Sequence, residues 1–268
     1  MKTLPWLSLV LVGVVQAEWS STCPDFCDCK WISGKKSAIC SDQELRNIPR
    51  LSSEIQHLNL SGNPLRSLPK DAFSSIGLAH VQKLYLSSCS IKTVHRSAFD
   101  DLGNMIELDL SGNAIENLPP ETFTGCIRLQ MLYLSRNSLL KIGPGVAFPK
   151  LPRLRTLDLS FNKIKDISDK AFLNLQSSVI TVNLRGNMLE DLLPEPFMGF
   201  KELKSLVLDH NPWRCYCYLR RLRDFVVQAK LITVEWYVVN AIPLTSQKTA
   251  VEEGLRVAAI GLVTQRTT

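Results

Sequence analysis

Apolar and polar positions alternate in short bursts that return along most of the chain. Leu58-Asn59-Leu60-Ser61-Gly62-Asn63 is followed by Leu84-Tyr85-Leu86-Ser87-Ser88-Cys89 and by Leu108-Asp109-Leu110-Ser111-Gly112-Asn113. The frame recurs as Leu132-Tyr133-Leu134-Ser135-Arg136-Asn137, Leu157-Asp158-Leu159-Ser160-Phe161-Asn162, Val182-Asn183-Leu184-Arg185-Gly186-Asn187 and Leu206-Val207-Leu208-Asp209-His210-Asn211. Counted from the second apolar residue of each burst, the steps are 26, 24, 24, 25, 25 and 24 residues. A fixed period of this length marks a stack of identical supersecondary units.

Each part of the burst has a physical reason. Alternation of apolar and polar residues predicts one short strand per unit, with both leucines inward and the residue between them outward. No unit can bury its leucines alone, so successive strands must pair in parallel and share one core. The chain turns inward after each strand, where backbone amides lose water. The asparagine amide, donor and acceptor at once, is suited to bond them. Cys89 takes that slot in the second unit, where it is a weaker partner. The frame is the leucine-rich-repeat pattern, and the fold class expected is an α/β solenoid: a curved parallel sheet of seven repeats over 51–211.

A second register runs behind the first. Phe73, Phe99, Phe123, Phe148, Phe172 and Phe197 follow the strands at a nearly constant distance and predict an aromatic spine on the opposite wall. Three residues after each comes Ile76, Leu102, Cys126, Leu151, Leu175 or Phe200, which makes Cys126 a small buried hydrophobe.

Both ends of such a stack need covers. Cys23, Cys27, Cys29 and Cys40 crowd the segment 18–50 ahead of the repeats. Lys2, the apolar run Leu4 to Val15 and small Ala17 read as a secretory leader over 1–17, so the four cysteines form a disulfide framework and not a zinc site. Three connectivities are open from spacing alone. Resemblance to leucine-rich-repeat N-terminal caps implies Cys23 with Cys29 and Cys27 with Cys40. After the repeats, Trp213 and the spacing of Leu219, Leu222, Phe225 and Val226 predict a helix that closes the far end, a partial C-cap over 212–233. Cys215 and Cys217 begin the cysteine pattern of such caps but find no later cysteine before Thr268. Residues 234–268 carry no recognisable unit, which points to a misjoined or spliced coding sequence, with pairing in trans as the third reading.

Composition adds little beyond this frame. The chain has 268 residues, a formal net charge of +6 and 45% hydrophobic residues, an ordinary globular profile. Its basic excess is dispersed, with one denser run at Arg220, Arg221 and Arg223 that reads as a solvated helix face. Nucleic acid is not an expected partner, and no stretch after the leader is apolar for long enough to span a membrane.

The run Cys29-Lys30-Trp31, the second repeat from Leu84 to Ile91 and the segment from Leu219 to Val227 together resemble the kekkon family of insect cell-surface proteins. The resemblance covers Cys23 to Thr233. It implies leucine-rich repeats followed by an immunoglobulin domain, a membrane span and a cytoplasmic tail, and a role in receptor modulation or cell-cell recognition. The last three parts have no counterpart in this sequence.

A solenoid presents the outward strand positions on its concave wall, the surface such proteins use for binding. There Tyr85, Asp109, Tyr133 and Asp158 are expected in a row, flanked by Lys83 and Glu107. Tyrosine gives large contact area at little entropic cost, so these six residues are the candidate partner-binding patch for an extracellular protein ligand or receptor ectodomain. Asn59-Leu60-Ser61 is a glycosylation sequon that would project a glycan over the same wall. His57, His80, His95 and His210 fall in different coils or turns, and no nucleophile, metal-ligand or cofactor motif accompanies them. The sequence therefore reads as a binding module and not an enzyme. A structural matrix component and an innate immune receptor are the alternatives; neither oligomeric state nor the ligand's identity is legible.

Overall fold

A strand of three residues has too few hydrogen bonds to persist alone, so its stability lies in the neighbours it pairs with. The computed structural model describes residues 22–143, 148–214 and 218–231. The leader expected over 1–17, Cys215, Cys217 and the tail over 234–268 lie outside these residues. Every repeat contributes a strand at its expected place: His57–Asn59, Lys83–Tyr85, Glu107–Asp109, Met131–Tyr133, Thr156–Asp158, Thr181–Asn183 and Ser205–Val207. Each pairs in parallel with the next, so that Leu58, Leu84, Leu108, Leu132, Leu157, Val182 and Leu206 form one buried row.

The N-terminal cap extends the same sheet. Asp28–Ile32 and Lys35–Ile39 form an antiparallel hairpin, and the second of these strands pairs in parallel with His57–Asn59 to complete nine strands. Disulfides join Cys23 to Cys29 and Cys27 to Cys40, the connectivity that the cap resemblance implied. At the far end Trp213 is fully buried and its indole N–H donates to the Leu208 carbonyl at 3.1 Å. The helix Tyr218–Gln228 then sets Leu222 and Val226 into the core while Arg220 and Arg221 face water.

Behind the sheet the phenylalanines stack. Centroids lie 5.9 Å apart from Phe73 to Phe99 and from Phe99 to Phe123, 6.2 Å from Phe148 to Phe172 and 5.6 Å from Phe172 to Phe197. Cys126 is fully buried beside this spine, and burial pushes its thiol up to about 12.

The asparagine ladder is the polar counterpart of the leucine row. Asn113 accepts the amides of Cys89 and Ile91 at 2.9 Å each and donates to the Leu86 and Leu110 carbonyls at 2.8 and 2.9 Å. Asn63, Asn137, Asn162, Asn187 and Asn211 donate to two carbonyls in the same way, Asn63 accepting two amides and each of the others one. Cys89 is the exception: its thiol donates to the Leu60 carbonyl at 3.2 Å, and the Leu65 amide turns back to the Asn63 carbonyl at 2.8 Å. Burial raises that thiol to about 11.

Candidate functional site

Because side chains alternate along a strand, two columns from each coil reach the concave wall. Strand register places Tyr85 opposite Asp109, Asp109 opposite Tyr133 and Tyr133 opposite Asp158. Lys83 and Glu107 are likewise opposite one another, with the ammonium 2.9 Å from the carboxylate. All six residues of the candidate patch therefore share one surface on four adjacent strands, half-buried at their bases.

Their chemistry is not uniform. The hydrogen bond to Glu107 holds the Lys83 ammonium above its ordinary range. Burial, followed by the Glu107 charge, raises both Tyr85 and Tyr133, so each phenol stays protonated. The Tyr133 hydroxyl lies 3.4 Å from the Met131 sulfur, a weak acceptor. Asp109 and Asp158 are partly committed within the fold: an oxygen of each accepts the backbone amide two residues on, Ser111 at 2.8 Å and Ser160 at 2.9 Å. Asn59 and Asn183 make the same bond to Ser61 and Arg185 at 2.9 and 3.1 Å. These four residues start the turn that ends their strand. The tyrosines occupy the same column without that duty, so of the row they are the members free of it.

The sequon residue Asn59 sits in this column at the N-terminal end of the wall, half-buried, with its oxygen engaged by the Ser61 amide. His57 stands beside it, and its imidazole is held below the usual range by burial and then by the Lys83 and Lys35 charges. The other three histidines lie elsewhere. His80 lines a shallow groove with Trp31 and Asn104, His95 accepts the Ser97 amide at 3.1 Å, and His210 sits 2.7 Å from Asp209.

Each coil leaves its strand through a residue with positive φ, at Gly62, Ser88, Gly112, Arg136, Phe161, Gly186 and His210, with values between 53 and 76°. The amides of the first six are used between coils, as from Gly62 to Ser87 at 2.8 Å and from Phe161 to Arg185 at 2.7 Å. A left-handed residue with a bulky side chain costs about 1–2 kcal/mol. The sequence signal lies in the dipeptide before each asparagine or Cys89, which is Ser-Gly or Ser-Ser in the first three coils and departs from that in the last four.

Comparison with known proteins places this architecture. Models described as leucine rich repeat match residues 54–76, 79–139 and 152–212, and one for two repeat copies matches 127–174. The chain is a leucine-rich-repeat protein. Among the relatives of this leucine-rich-repeat chain are mouse nephrocan, 33% identical over 72% of the chain, and macaque trophoblast glycoprotein, 26% identical over 78%. Japanese quail lumican is 25% identical over 72%. The chain spans 34% of nephrocan, 60% of trophoblast glycoprotein and 61% of that lumican. Among solved structures, human 5T4 (trophoblast glycoprotein) superposes with a TM-score of 0.57 at 25% identity, covering 83% of this chain and 94% of that one. Among the described residues no helix is long and apolar enough to cross a membrane.

Proposed function

We propose that this chain is an extracellular protein-binding module whose concave wall, centred on Tyr85, Asp109, Tyr133 and Asp158 with Lys83 and Glu107 beside them, takes a protein ligand or receptor ectodomain. The observation that carries the reading is the row itself: two protonated tyrosines in register on strands separated by one, in a column where four neighbours are occupied by turn-forming Asp and Asn. Large, rigid side chains that are not needed to form the turn after their strand are what a binding surface needs and what a merely solvated sheet does not. The two cap disulfides suit an oxidising compartment, consistent with secretion or display on the outer face of the plasma membrane.

Modulation of a receptor is the form of binding favoured. Human 5T4 also bears the name Wnt-activated inhibitory factor 1, which supports a signalling role for a wall of this kind. The finer kekkon-like placement rests on Cys29-Lys30-Trp31, the second repeat and the Leu219–Val227 segment alone.

The test is a panel of purified receptor ectodomains presented to the secreted chain. A specific ligand should lose at least about tenfold in affinity to Tyr85→Ala with Tyr133→Ala, at unchanged circular dichroism. Retained affinity in the double variant would refute the concave reading. Retention on collagen or glycan that ignores both substitutions would instead assign the chain a matrix role.

A further inference from the structure

The rim beside the concave wall carries a second, differently built surface in its C-terminal half. Phe161 holds φ of 53°, a conformation in which a bulky side chain is a true outlier, and yet the residue is 40% exposed. The Arg136 guanidinium lies 4.9 Å from the ring centroid and that of Arg185 lies 5.8 Å away, within cation–π range. Gly186 leaves the space the ring uses, since a Cβ there would stand 2.6 Å from Phe161 Cδ1. Arg185 is anchored from below: its Nε is 3.3 Å from the carboxylate of Asp209, which is 1% exposed. Arg136 has no carboxylate partner among the described residues.

These residues replace the small defaults of the earlier coils at adjacent positions, and they contact one another. Gly62, Ser88 and Gly112 show that the turn itself asks for nothing larger. Strain kept where the fold does not need it, on an exposed aromatic between cations, points to a ligand. We infer that Arg136, Phe161 and Arg185 form a docking site for an acidic protein segment, with an apolar side chain of that segment on the Phe161 ring and its carboxylate on Arg136. Charge complementarity selects the acid, because Arg185 is neutralised by Asp209 and Arg136 is not. A peptide pairs an apolar side chain with a carboxylate at the spacing of one ring beside one unpaired guanidinium, which is the arrangement here. The inference rests on the reading of the chain as a protein-binding module and moves part of that contact from the wall to the rim.

Phe161→Gly separates ligand from fold, because glycine relieves the positive φ. The secreted chain is titrated with a labelled peptide alternating glutamate and leucine, and in parallel with polyglutamate and with a heparin oligosaccharide. The glutamate–leucine peptide should bind most tightly, and Phe161→Gly and Arg136→Ser should each weaken it by at least about tenfold while the Tm of Phe161→Gly stays level or rises. Binding unchanged by Phe161→Gly, or a Tm that falls with it, overturns the inference. Preference for heparin, lost with Arg136→Ser but kept with Phe161→Gly, overturns it in favour of a glycan. An ectodomain that responds to the tyrosine pair and ignores Phe161→Gly defeats the rim site alone. One that responds to Phe161→Gly and ignores the pair defeats the concave row alone.

Discussion

The back wall and the concave wall are made by the same repeat, but one keeps its residues and the other does not. Six coils place phenylalanine behind the sheet, and most of these rings stack on a neighbour. In front, the corresponding column reads Asn59, Tyr85, Asp109, Tyr133, Asp158, Asn183 and Val207. The contrast follows from solvent. A buried ring can be exchanged only for something of its own size and polarity. A half-exposed position is constrained chiefly by whatever local bond it makes, so four of seven settled on Asx turns while Tyr85, Tyr133 and Val207 make no such turn.

Substituting one residue of each wall measures that contrast. Phe172 touches Phe148, Phe197 and Phe200 at 6.2, 5.6 and 6.1 Å. Phe172→Ala should cost about 3–5 kcal/mol, because it opens a cavity between coils that none of the three rings can fill. Tyr133→Ala removes a half-exposed ring and should cost about 1 kcal/mol or less. Urea denaturation of both variants checks the ratio. Equal losses would mean that Tyr133 is part of the core and not of a binding face.

The same contrast explains what the sequence disclosed. The apolar strand positions recur in all seven coils, and asparagine and the spine phenylalanine each recur in six, so counting residues located the strands and core. The cap connectivity followed from resemblance, since four cysteines admit several pairings and spacing does not choose among them. Alternation put Tyr85, Asp109, Tyr133 and Asp158 at matching strand positions, as the register has them, but the split within the row was hidden. Asp109 and Asp158 look like ligand-facing acids in a string of letters, and only geometry shows each bound to an amide two residues on. The rim was hidden for a different reason. Arg136, Phe161 and Arg185 lie in separate coils, 25 and 24 residues apart in sequence, and become neighbours only through stacking.

Cys89 breaks the regularity inside the core and offers a gain instead of a loss. In its coil the ladder is reduced to weak thiol contacts with the Leu60 and Ser87 carbonyls, and the Leu65 amide folds back on Asn63. Cys89→Asn restores the residue found at the other six positions, with a carbonyl for the Leu65 amide and an amide for the Leu60 carbonyl. A net gain of about 1 kcal/mol is expected, seen as a rise of roughly 2–4 °C in Tm. A lower Tm would show that this coil has closed around sulfur and no longer admits the larger side chain.

The smallest effect belongs to the N-terminal edge of the concave wall, where His57 sits beside Lys83 and Lys35. Burial and then these charges hold the imidazole below its ordinary value, with Glu107 opposing them. The folded state therefore disfavours the proton more than the unfolded chain does. The contribution to stability is present above the unfolded pKa of about 6.5 and is lost as pH falls from there through the folded value. The ring keeps much of its contact with water, so the loss should amount to roughly a few tenths of a kcal/mol. Imidazole resonances followed through a pH titration should give a midpoint below about 6.5, and His57→Gln should flatten the fall in Tm on the acid side. Lys83→Met removes one repelling charge and frees Glu107, so the midpoint should climb. A midpoint that stays put would mean that burial alone sets it, and that the charges on this wall are too well solvated to influence one another, or a partner, at the distance of one strand.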